Sequence, residues 1–373
     1  MNSRSRQRWV VKVGSALLSD PVSGLNKTII KALAKDVANL QASGFDVVLV
    51  SSGAIADGIQ RLSWRERPNE VHKLQAAAAI GQMGLVEAYQ SAFQEHNIQT
   101  AQILLTDADI VDRVRYLNAR GTFRTLLDLR VVPIVNENDT VVTEEIRFGD
   151  NDTLAAMVSN LIDAQYLVIL TDQEGLFDQD PRLHDDALLI REDIAGNPRL
   201  EAFAGKSGIQ GRGGMITKLD AASRAARSGT STFIVSGQHP QALQSIRDGH
   251  HHGTLLRAQN GRVAAKKQWL AGQLHVSGHI YLDSGAVDVL QRCGSSLLSV
   301  GVIRIDGKFR RGELVGCIDV RNDAEIARGL VNYSSDETAL IMGKPSTEIQ
   351  AMLGYTAEPE LIHRDNIVIL QIE

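Results

Sequence analysis

The chain has 373 residues, of which 43% are hydrophobic and 22% are charged, a composition typical of a soluble globular protein with two domains. Its formal net charge of −5 argues against a protein whose overall charge attracts nucleic acid, although it does not exclude a local basic face. The two cysteines, Cys293 and Cys317, exclude a disulfide framework and have no metal-type Cys/His spacing around them, so we expect small core residues in a reducing compartment.

The sequence also lacks a candidate membrane segment. No window approaches an uncharged membrane span, and the apolar part of the basic N-terminus, MNSRSRQRWVVKVG, is too short for a signal peptide. We therefore expect a cytoplasmic protein with no membrane partner.

Apolar runs rich in β-branched residues alternate with helical stretches in the first two thirds of the chain. The predicted strands are Trp9 to Val13, Asp46 to Val50, Ala101 to Leu105, Val131 to Val135, Tyr166 to Leu170 and Thr232 to Val235. Helices are predicted at Lys27 to Ala42 and Glu70 to Gln94. Continuous apolar strands are typical of a parallel sheet buried on both faces. The pattern predicts an α/β domain with an open, mostly parallel sheet between helices and ligands at the carboxyl ends of the strands.

After about Arg262 the pattern changes to short segments separated by glycines. Residues 302–305 and 314–320 alternate with period two, and Asp306-Gly307 is interpreted as a turn after the first of them. We therefore predict an α/β domain over residues 1–262, a linker over 263–274 and a small β-rich domain over 275–373.

Polar residues follow the first two predicted strands. Lys12 lies inside the first apolar run, with Gly14 and Ser15 just beyond it. Such a lysine either extends from an edge strand to solvent or points at a ligand. Ser52 and Gly53 follow the second strand, where Ser52 is either a helix N-cap or a binding residue.

The later strands of the first domain end in carboxylates and amides. Four consecutive polar residues, Asn136 to Asp139, follow the fourth strand, and either a solvated loop or a substrate-binding site has this composition. Residues 150–152, with the sequence Asp-Asn-Asp, precede a helix and are either its cap or part of a site. Thr171 and Asp172 follow the fifth strand and predict a loop beside a nucleotide.

A glycine cluster precedes another predicted helix. Gly211, Gly213 and Gly214 lead into residues 215–227, whose first turn carries Lys218. Free N–H groups at a helix start together with a lysine form an anion site, although a surface loop with a helix cap has the same composition. The P-loop pattern is absent, because its nearest imitation has Leu200 where the first glycine is required.

Two lysines, two glycine-rich turns and several carboxylates and amides are thus predicted at one edge of the sheet. This set suits phosphoryl transfer, in which the protein positions donor and acceptor and neutralises charge without a covalent nucleophile. No Ser-His-Asp or Cys-His arrangement competes with this interpretation. The histidine run at residues 250–252 lies between glycines, and we predict no metal-binding residues there.

The motifs now identify a family resemblance. VVKVGS, SSGAIADG, NENDTV, FGDNDTLAA, LTDQEGLFDQDPR and GRGGMITKLDAA occur in the order and approximate spacing of the glutamate 5-kinases of the amino acid kinase family. GSSLL, GKFRRGELV, RGLVNYSSDE, LGY and HRDNIVIL resemble the PUA domain of many bacterial members, so the resemblance covers nearly the whole chain. It implies ATP-dependent phosphorylation of the L-glutamate side chain to L-glutamyl 5-phosphate, the first step of proline biosynthesis.

The resemblance also implies roles for individual residues. Lys12 and Lys218 would lie on either side of the transferring phosphoryl group, with Asp152 organising both ammonium groups. The substrate-binding residues implied are Ser52, Gly53, Asp139, Asp150 and Asn151. The ATP-binding residues implied are Lys12, Gly14, Ser15, Thr171, Asp172, Arg212, Gly213, Gly214, Met215, Ile216, Thr217 and Lys218. Mg²⁺ would bridge ATP oxygens and use few protein ligands.

Two residues depart from the family pattern, since Arg212 and Ile216 stand where the family's glycine loop has threonine and serine. The departure puts side-chain contacts to ATP in doubt more than activity. The resemblance further implies a homodimer or homotetramer, feedback inhibition by proline, and glutamate-5-semialdehyde dehydrogenase as a partner.

Two alternatives remain at this point. One is another amino acid kinase, acting on N-acetylglutamate, aspartate or carbamate, although NENDTV and the β-rich domain favour free glutamate. The other is an RNA-binding PUA protein, which the negative net charge and the set of polar strand ends disfavour.

Overall fold

The structure is a computed structural model that describes residues 6–20, 24–141, 151–204, 214–259 and 276–370. The described residues form two compact units. The first comprises those within 1–110 and 120–262, and the second comprises those within 111–119 and 263–373. The second unit includes residues 111–119, which differs from the predicted boundaries. The predicted linker lies wholly outside the described residues.

The bounds of the elements up to residue 259 are as follows. The strands are β1 (Arg8–Val13), β2 (Ser19–Asp20), β3 (Gly24–Leu25), β4 (Asp46–Val50), β5 (Thr100–Leu105), β6 (Val132–Glu137), β7 (Tyr166–Thr171), β8 (Glu192–Ile194), β9 (Ser231–Ser236) and β10 (Thr254–Arg257). The helices are α1 (Ser15–Leu18), α2 (Lys27–Ala42), α3 (Ala54–Arg61), α4 (Val71–Gln94), α5 (Asp107–Val111), α6 (Arg113–Asp128), α7 (Asn151–Leu161), α8 (Arg199–Phe203), α9 (Met215–Ala226) and α10 (Ala242–Arg247).

The first unit is built on an eight-stranded sheet, in the described residues, with the order β5-β6-β4-β1-β7-β9-β10-β8. All neighbouring strands run parallel except β9 and β10, which are antiparallel. The central strands are apolar and almost fully buried because helices cover the sheet. The predicted fold class and the six predicted strands are therefore confirmed.

Helices α3 and α4 pack unusually closely. A Cβ atom added to Gly58 would lie 1.7 Å from the carbonyl oxygen of Ala77, and one added to Gly81 would lie 1.8 Å from that of Ala54. Since no side chain fits at these distances, glycine is required for this backbone contact. The contact fixes α4 against the helix that follows strand β4.

The second unit contains a five-stranded sheet and short helices. Its strands are β11 (Gly278–Leu282), β12 (Val302–Gly307), β13 (Leu314–Asp319), β14 (Ala324–Leu330) and β15 (Ile367–Ile369). Its helices are α11 (Ser284–Cys293), α12 (Ser335–Ile341) and α13 (Ile349–Leu353), with 3₁₀ turns at Ser299–Gly301, Ser346–Glu348 and Arg364–Asn366. The sheet order, in the described residues, is β12-β11-β13-β14-β15, and Cys317 is buried in its core.

The predicted turn at Asp306-Gly307 is wrong. Strand β12 continues through Gly307, which pairs with Gly278 of β11. The chain reverses later, at a turn formed by residues 311–312. Before that turn, Phe309 is buried in the core. Strands β12 and β13 are consequently separated by β11 and do not form a hairpin.

No helix in the described part of the chain combines the length and the apolarity that a membrane span requires.

Candidate active site

Lys12 is a buried lysine in the central strand of the larger sheet. Strand β1 lies between β4 and β7, and Lys12 is aligned with Val50 on one side and Ile169 on the other. Only 4% of the residue is exposed, which rules out the edge-strand position that the sequence left open. A buried ammonium group requires a nearby anion or strong acceptors.

Asp152, at the start of α7, is that anion. The Nζ atom of Lys12 lies 2.5 Å from its Oδ1 atom, and the Nζ atom of Lys218 lies 3.2 Å from its Oδ2 atom. Asp152 is fully buried and Lys218 is 5% exposed. The structure therefore brings together the three predicted catalytic residues, which are separated by up to 206 positions in the sequence (218 − 12).

The helix that carries Lys218 begins where the sequence predicted. Gly214 is the N-cap of α9, and its carbonyl oxygen accepts a hydrogen bond of 2.8 Å from the hydroxyl group of Thr217. The same hydroxyl lies 3.1 Å from Oδ2 of Asp152. The first turn of α9 thus contacts the carboxylate through both a hydroxyl and an ammonium group.

The charge state of Asp152 follows from these neighbours. Burial alone would raise the pKa of its carboxyl group, but the ammonium groups of Lys12 and Lys218 outweigh burial and hold the pKa below its usual range. Asp152 is therefore ionised at neutral pH. The cluster carries two positive charges and one negative charge, and its net charge of +1 suits an anionic ligand.

Buried amides adjoin this cluster. The Nδ2 group of Asn151 lies 2.5 Å from the carbonyl oxygen of Ser51 and 2.8 Å from Oδ1 of Asn136. Asn136 in turn donates to Oε1 of Gln82 over 2.7 Å. Gln82 is 8% exposed, and its Nε2 group has no acceptor within the described residues. A buried donor without a partner costs free energy, so this group is well placed to donate to a ligand.

Residues at the end of β4 complete the amide side. The hydroxyl group of Ser51 donates to that of Tyr89 over 3.0 Å, and Nδ2 of Asn151 lies 3.5 Å from Oγ of Ser52. Ser52 is not a helix cap, because the N-cap of α3 is Gly53. Gly53 has a φ of 98°, which glycine adopts without strain and which turns the chain directly from Ser52 into α3.

The opposite side of Lys12 carries the residues predicted to contact the nucleotide. Thr171 ends β7 and is buried, and its hydroxyl donates to Oδ1 of the exposed Asp172 over 3.1 Å. The N–H of Gly14 donates to the carbonyl oxygen of Leu170, and the exposed Ser15 begins α1. Strand order therefore places the amides beside β4 and β6 and the threonine beside β7, with Lys12 between them.

The structure describes only some of the remaining predicted site residues. Asp139 is half-buried just beyond β6, Met215 is partly buried and Ile216 is 45% exposed. Asp150, Arg212 and Gly213 lie outside the described residues. Sequence reasoning missed Gln82 and Tyr89, and it noted Asn136 without assigning it to the site.

Comparisons with known proteins identify the family of this chain. The amino acid kinase family profile matches residues 7–236, and a PUA domain profile matches residues 278–353. The chain belongs to the amino acid kinase family. The family and the phosphotransferase class predicted from the sequence are confirmed.

Close relatives cover both units of this amino acid kinase family member. The chain is 56% identical over 365 residues to the glutamate 5-kinase of Thioalkalivibrio sulfidiphilus, covering 98% of this chain and 97% of the relative. It is 57% identical over 369 residues to the glutamate 5-kinase of Nitrosococcus oceani, covering 98% of each. Among solved structures, carbamate kinase from Giardia lamblia bound to AMP-PNP superposes with a TM-score of 0.51 at 17% identity, covering 68% of this chain and 99% of that chain. The last similarity supports the fold alone.

Proposed function

We propose that this chain is a glutamate 5-kinase, which transfers the γ-phosphoryl group of ATP to the side-chain carboxylate of L-glutamate and forms L-glutamyl 5-phosphate and ADP. The buried Lys12, Asp152 and Lys218 cluster carries the proposal, because a net positive site at the carboxyl edge of the sheet suits a moving phosphoryl group. Relatives that share 56–57% identity over nearly the full length support glutamate as the acceptor. The alternative amino acid kinases and an RNA-binding protein are not favoured.

The two lysines act by electrostatic stabilisation. In the transition state, negative charge is spread over the oxygens of the phosphoryl group and the bridging oxygen of ADP. The ammonium groups of Lys12 and Lys218 already converge on Asp152, so few rearrangements are needed to place them on either side of that charge. Because the site is buried, their attraction to the phosphoryl oxygens is stronger than it would be in water.

No general base is required for this reaction. One oxygen of the ionised substrate carboxylate attacks the γ-phosphorus of ATP, the bond between that phosphorus and the β,γ-bridging oxygen breaks, and the electron pair leaves with ADP. Asp152 remains ionised because its pKa is held below the usual range. Its role is to orient the two lysines.

The acceptor is proposed to bind on the β4 and β6 side of Lys12. Ser52, Asp139 and Asn151 bind glutamate, with Gly53 and Asp150 beside them. The amide network through Asn136 and Gln82 supports this assignment, since amide donors suit the substrate's carboxylates.

ATP is proposed to bind on the β7 side. The contacts come from Gly14 and Ser15, from Thr171 and Asp172, and from residues 212–218. The described cluster offers two ammonium groups and one carboxylate, a donor set that fits phosphate oxygens better than a directly bound metal ion. Mg²⁺ would therefore be held mainly by the ATP phosphate oxygens and water rather than by these residues, and it would supply neutralisation of phosphate charge.

Localisation, oligomeric state, inhibition and partner are proposed from the resemblance to the glutamate 5-kinases. The enzyme is cytoplasmic, forms a homodimer or homotetramer, is inhibited by proline and passes its acyl phosphate to glutamate-5-semialdehyde dehydrogenase in proline biosynthesis. Catalysis belongs to residues 1–262, and residues 275–373 form a separate PUA-like domain.

The test is ADP release with L-glutamate, L-aspartate, N-acetyl-L-glutamate and carbamate in turn, combined with hydroxylamine trapping of the acyl phosphate as a hydroxamate. We expect glutamate-dependent ADP release matched by glutamyl hydroxamate. Faster turnover of another acceptor would contradict the proposal. A parallel salt-dependent titration with RNA addresses the RNA-binding alternative.

A further inference from the structure

The second unit contains a cavity of about 600 Å³ between helix α11, the segment 295–301 and Glu360. Its volume is typical of small-molecule sites. The walls are mainly apolar, and three of the side chains that line it are unusually exposed for large hydrophobic residues: Val289 at 48%, Leu298 at 41% and Val300 at 51%. The cavity therefore offers apolar contact area to a ligand.

Two carboxylates interrupt the apolar walls. Asp283 caps α11, with its Oδ1 atom accepting a 2.7 Å hydrogen bond from the N–H of Ala286. Glu360 also lines the cavity, and its Oε2 atom is buried with no hydrogen-bond donor within the described residues. None of the described residues that line the cavity is lysine, arginine or histidine. A ligand that enters the cavity would therefore meet two carboxylate-bearing residues and none of the positively charged side chains of the described residues.

The backbone around Glu360 is well anchored. The neighbouring Leu361 donates to Leu297 over 2.8 Å, and Leu297 donates to Ile362 over 2.8 Å. The carbonyl oxygen of Glu360 accepts a 3.0 Å hydrogen bond from Asn332. Because both walls are joined by backbone hydrogen bonds, the cavity needs little ordering when a ligand binds, which favours affinity.

We propose that this cavity binds a small organic cation, an amine, amidine or guanidinium group attached to an apolar body. The apolar body contacts Val289, Leu298 and Val300, and the cationic head donates to Glu360 beside the negative charge of Asp283. A nucleic-acid backbone does not suit the cavity, because its phosphates would approach two carboxylates. The site is independent of the phosphotransferase activity, since none of its residues belongs to the Lys12, Asp152 and Lys218 cluster.

The test uses the full chain and four probes that share one ring: benzamidine, benzylamine, benzyl alcohol and benzoate. Saturation-transfer NMR and titration of methyl-labelled protein measure their binding. We expect both cations to bind about tenfold more tightly than benzyl alcohol, as charge-assisted hydrogen bonds require, and benzoate to bind least. Methyl shifts should appear at Val289, Leu298 and Val300.

Variants locate the site. Glu360→Gln should lower the affinity for benzamidine by about tenfold, because it removes the negative charge from the acceptor side chain. Glu348→Gln removes an exposed carboxylate of the same unit outside the cavity and should leave the affinity unchanged. If Glu360→Gln does not fold, Val300→Ser at an exposed position provides a second test. It should lower the affinity for both benzamidine and benzylamine.

Three results would overturn the proposal. The first is equal affinity of the protein for benzamidine and benzyl alcohol. The second is an affinity for benzamidine that none of the cavity variants changes. The third is displacement of benzamidine by a short RNA oligonucleotide. Glutamate-dependent ADP release should be the same in Glu360→Gln and the unmodified chain, so failure here is distinguishable from failure of the kinase assignment.

Discussion

Lys12 and Asp152 form an ion pair of 2.5 Å between the carboxyl-terminal end of the central strand and the first turn of α7. The pair joins the two halves of the site, because Asn151 next to Asp152 belongs to the amide network and Lys218 contacts the other carboxylate oxygen. Changes to this cluster should therefore affect chemistry more than binding.

Lys12→Met or Lys218→Met should abolish most turnover. Loss of one preorganised charge-stabilising donor typically lowers kcat by about 10² to 10³. Steady-state ADP release measures the loss, and thermal unfolding shows whether the variant is folded. Lys31→Met removes an exposed lysine paired with Glu95 and is the control. Near-normal kcat in either active-site variant would refute the assigned role.

Gln82→Leu, Asn151→Ala and Asp139→Ala should act mainly on glutamate. The first two change the amide network beside β4 and β6, away from the proposed nucleotide side. We expect the KM for glutamate to rise by about tenfold or more and the KM for ATP to change far less. Gln94→Leu, at an exposed position on the same helix as Gln82, is the control. Equal effects on both substrates would mean that the amides are not specific to the acceptor.

Asp152→Asn should destabilise the protein in a pH-dependent way. The folded-state pKa of Asp152 lies below its ordinary value of 3.8, so its stabilising contribution is present above that value and is lost as pH falls through the folded-state pKa. Removing one partner of a buried ion pair costs about 3–5 kcal/mol near neutral pH. Urea unfolding at about pH 7 and about pH 3 measures the difference, which should shrink at the lower pH. A difference that does not depend on pH would contradict this account.

Asp36→Asn should have the opposite effect on stability. Burial raises the pKa of Asp36 to about 6, although the backbone of Leu243 and the charge of Lys35 act in the other direction. The wild-type free energy of unfolding should therefore fall as pH rises from about 4 through about 6, because ionisation is disfavoured in the folded state. The variant should be more stable than wild type at about pH 7.5 but not at about pH 4, as thermal unfolding will measure. Asp128→Asn, at an exposed position, should show no such crossover.

A chain that ends at Lys266 should keep glutamate-dependent ADP release. No residue assigned to the chemistry lies beyond that position, and the described residues from 276 onward form their own core. Inhibition by proline, Mg²⁺ dependence or assembly is expected to change instead. A truncated chain that binds ATP, measured by calorimetry, yet shows no turnover would place part of the active site in the C-terminal residues.

The sequence predicted the sheet well because its strands are buried on both faces and form continuous apolar runs. It also placed Gly214 and Lys218 correctly at the start of a helix. The contact between Lys12 and Asp152 could not be obtained from periodicity, since it depends on which strand lies beside which helix.

Gln82 was missed for a different reason. A lone glutamine in a long helix has the composition of a solvent-exposed face. Its spacing from Ala78, Leu85 and Tyr89, all buried, nevertheless places it on the buried side of α4. A polar residue at an apolar helical position was the available signal.

The glycine contact between α3 and α4 has a consequence for the acceptor. Gly81 immediately precedes Gln82, and its backbone touches that of Ala54, two residues beyond Ser52. The separation between the Gln82 amide and the end of β4 is therefore set by two polypeptide backbones rather than by adjustable side chains. A single added methyl group at residue 81 would push the helices apart. In the proposed acceptor site, we therefore expect this residue to influence discrimination between carboxylic acids of different length without contacting them.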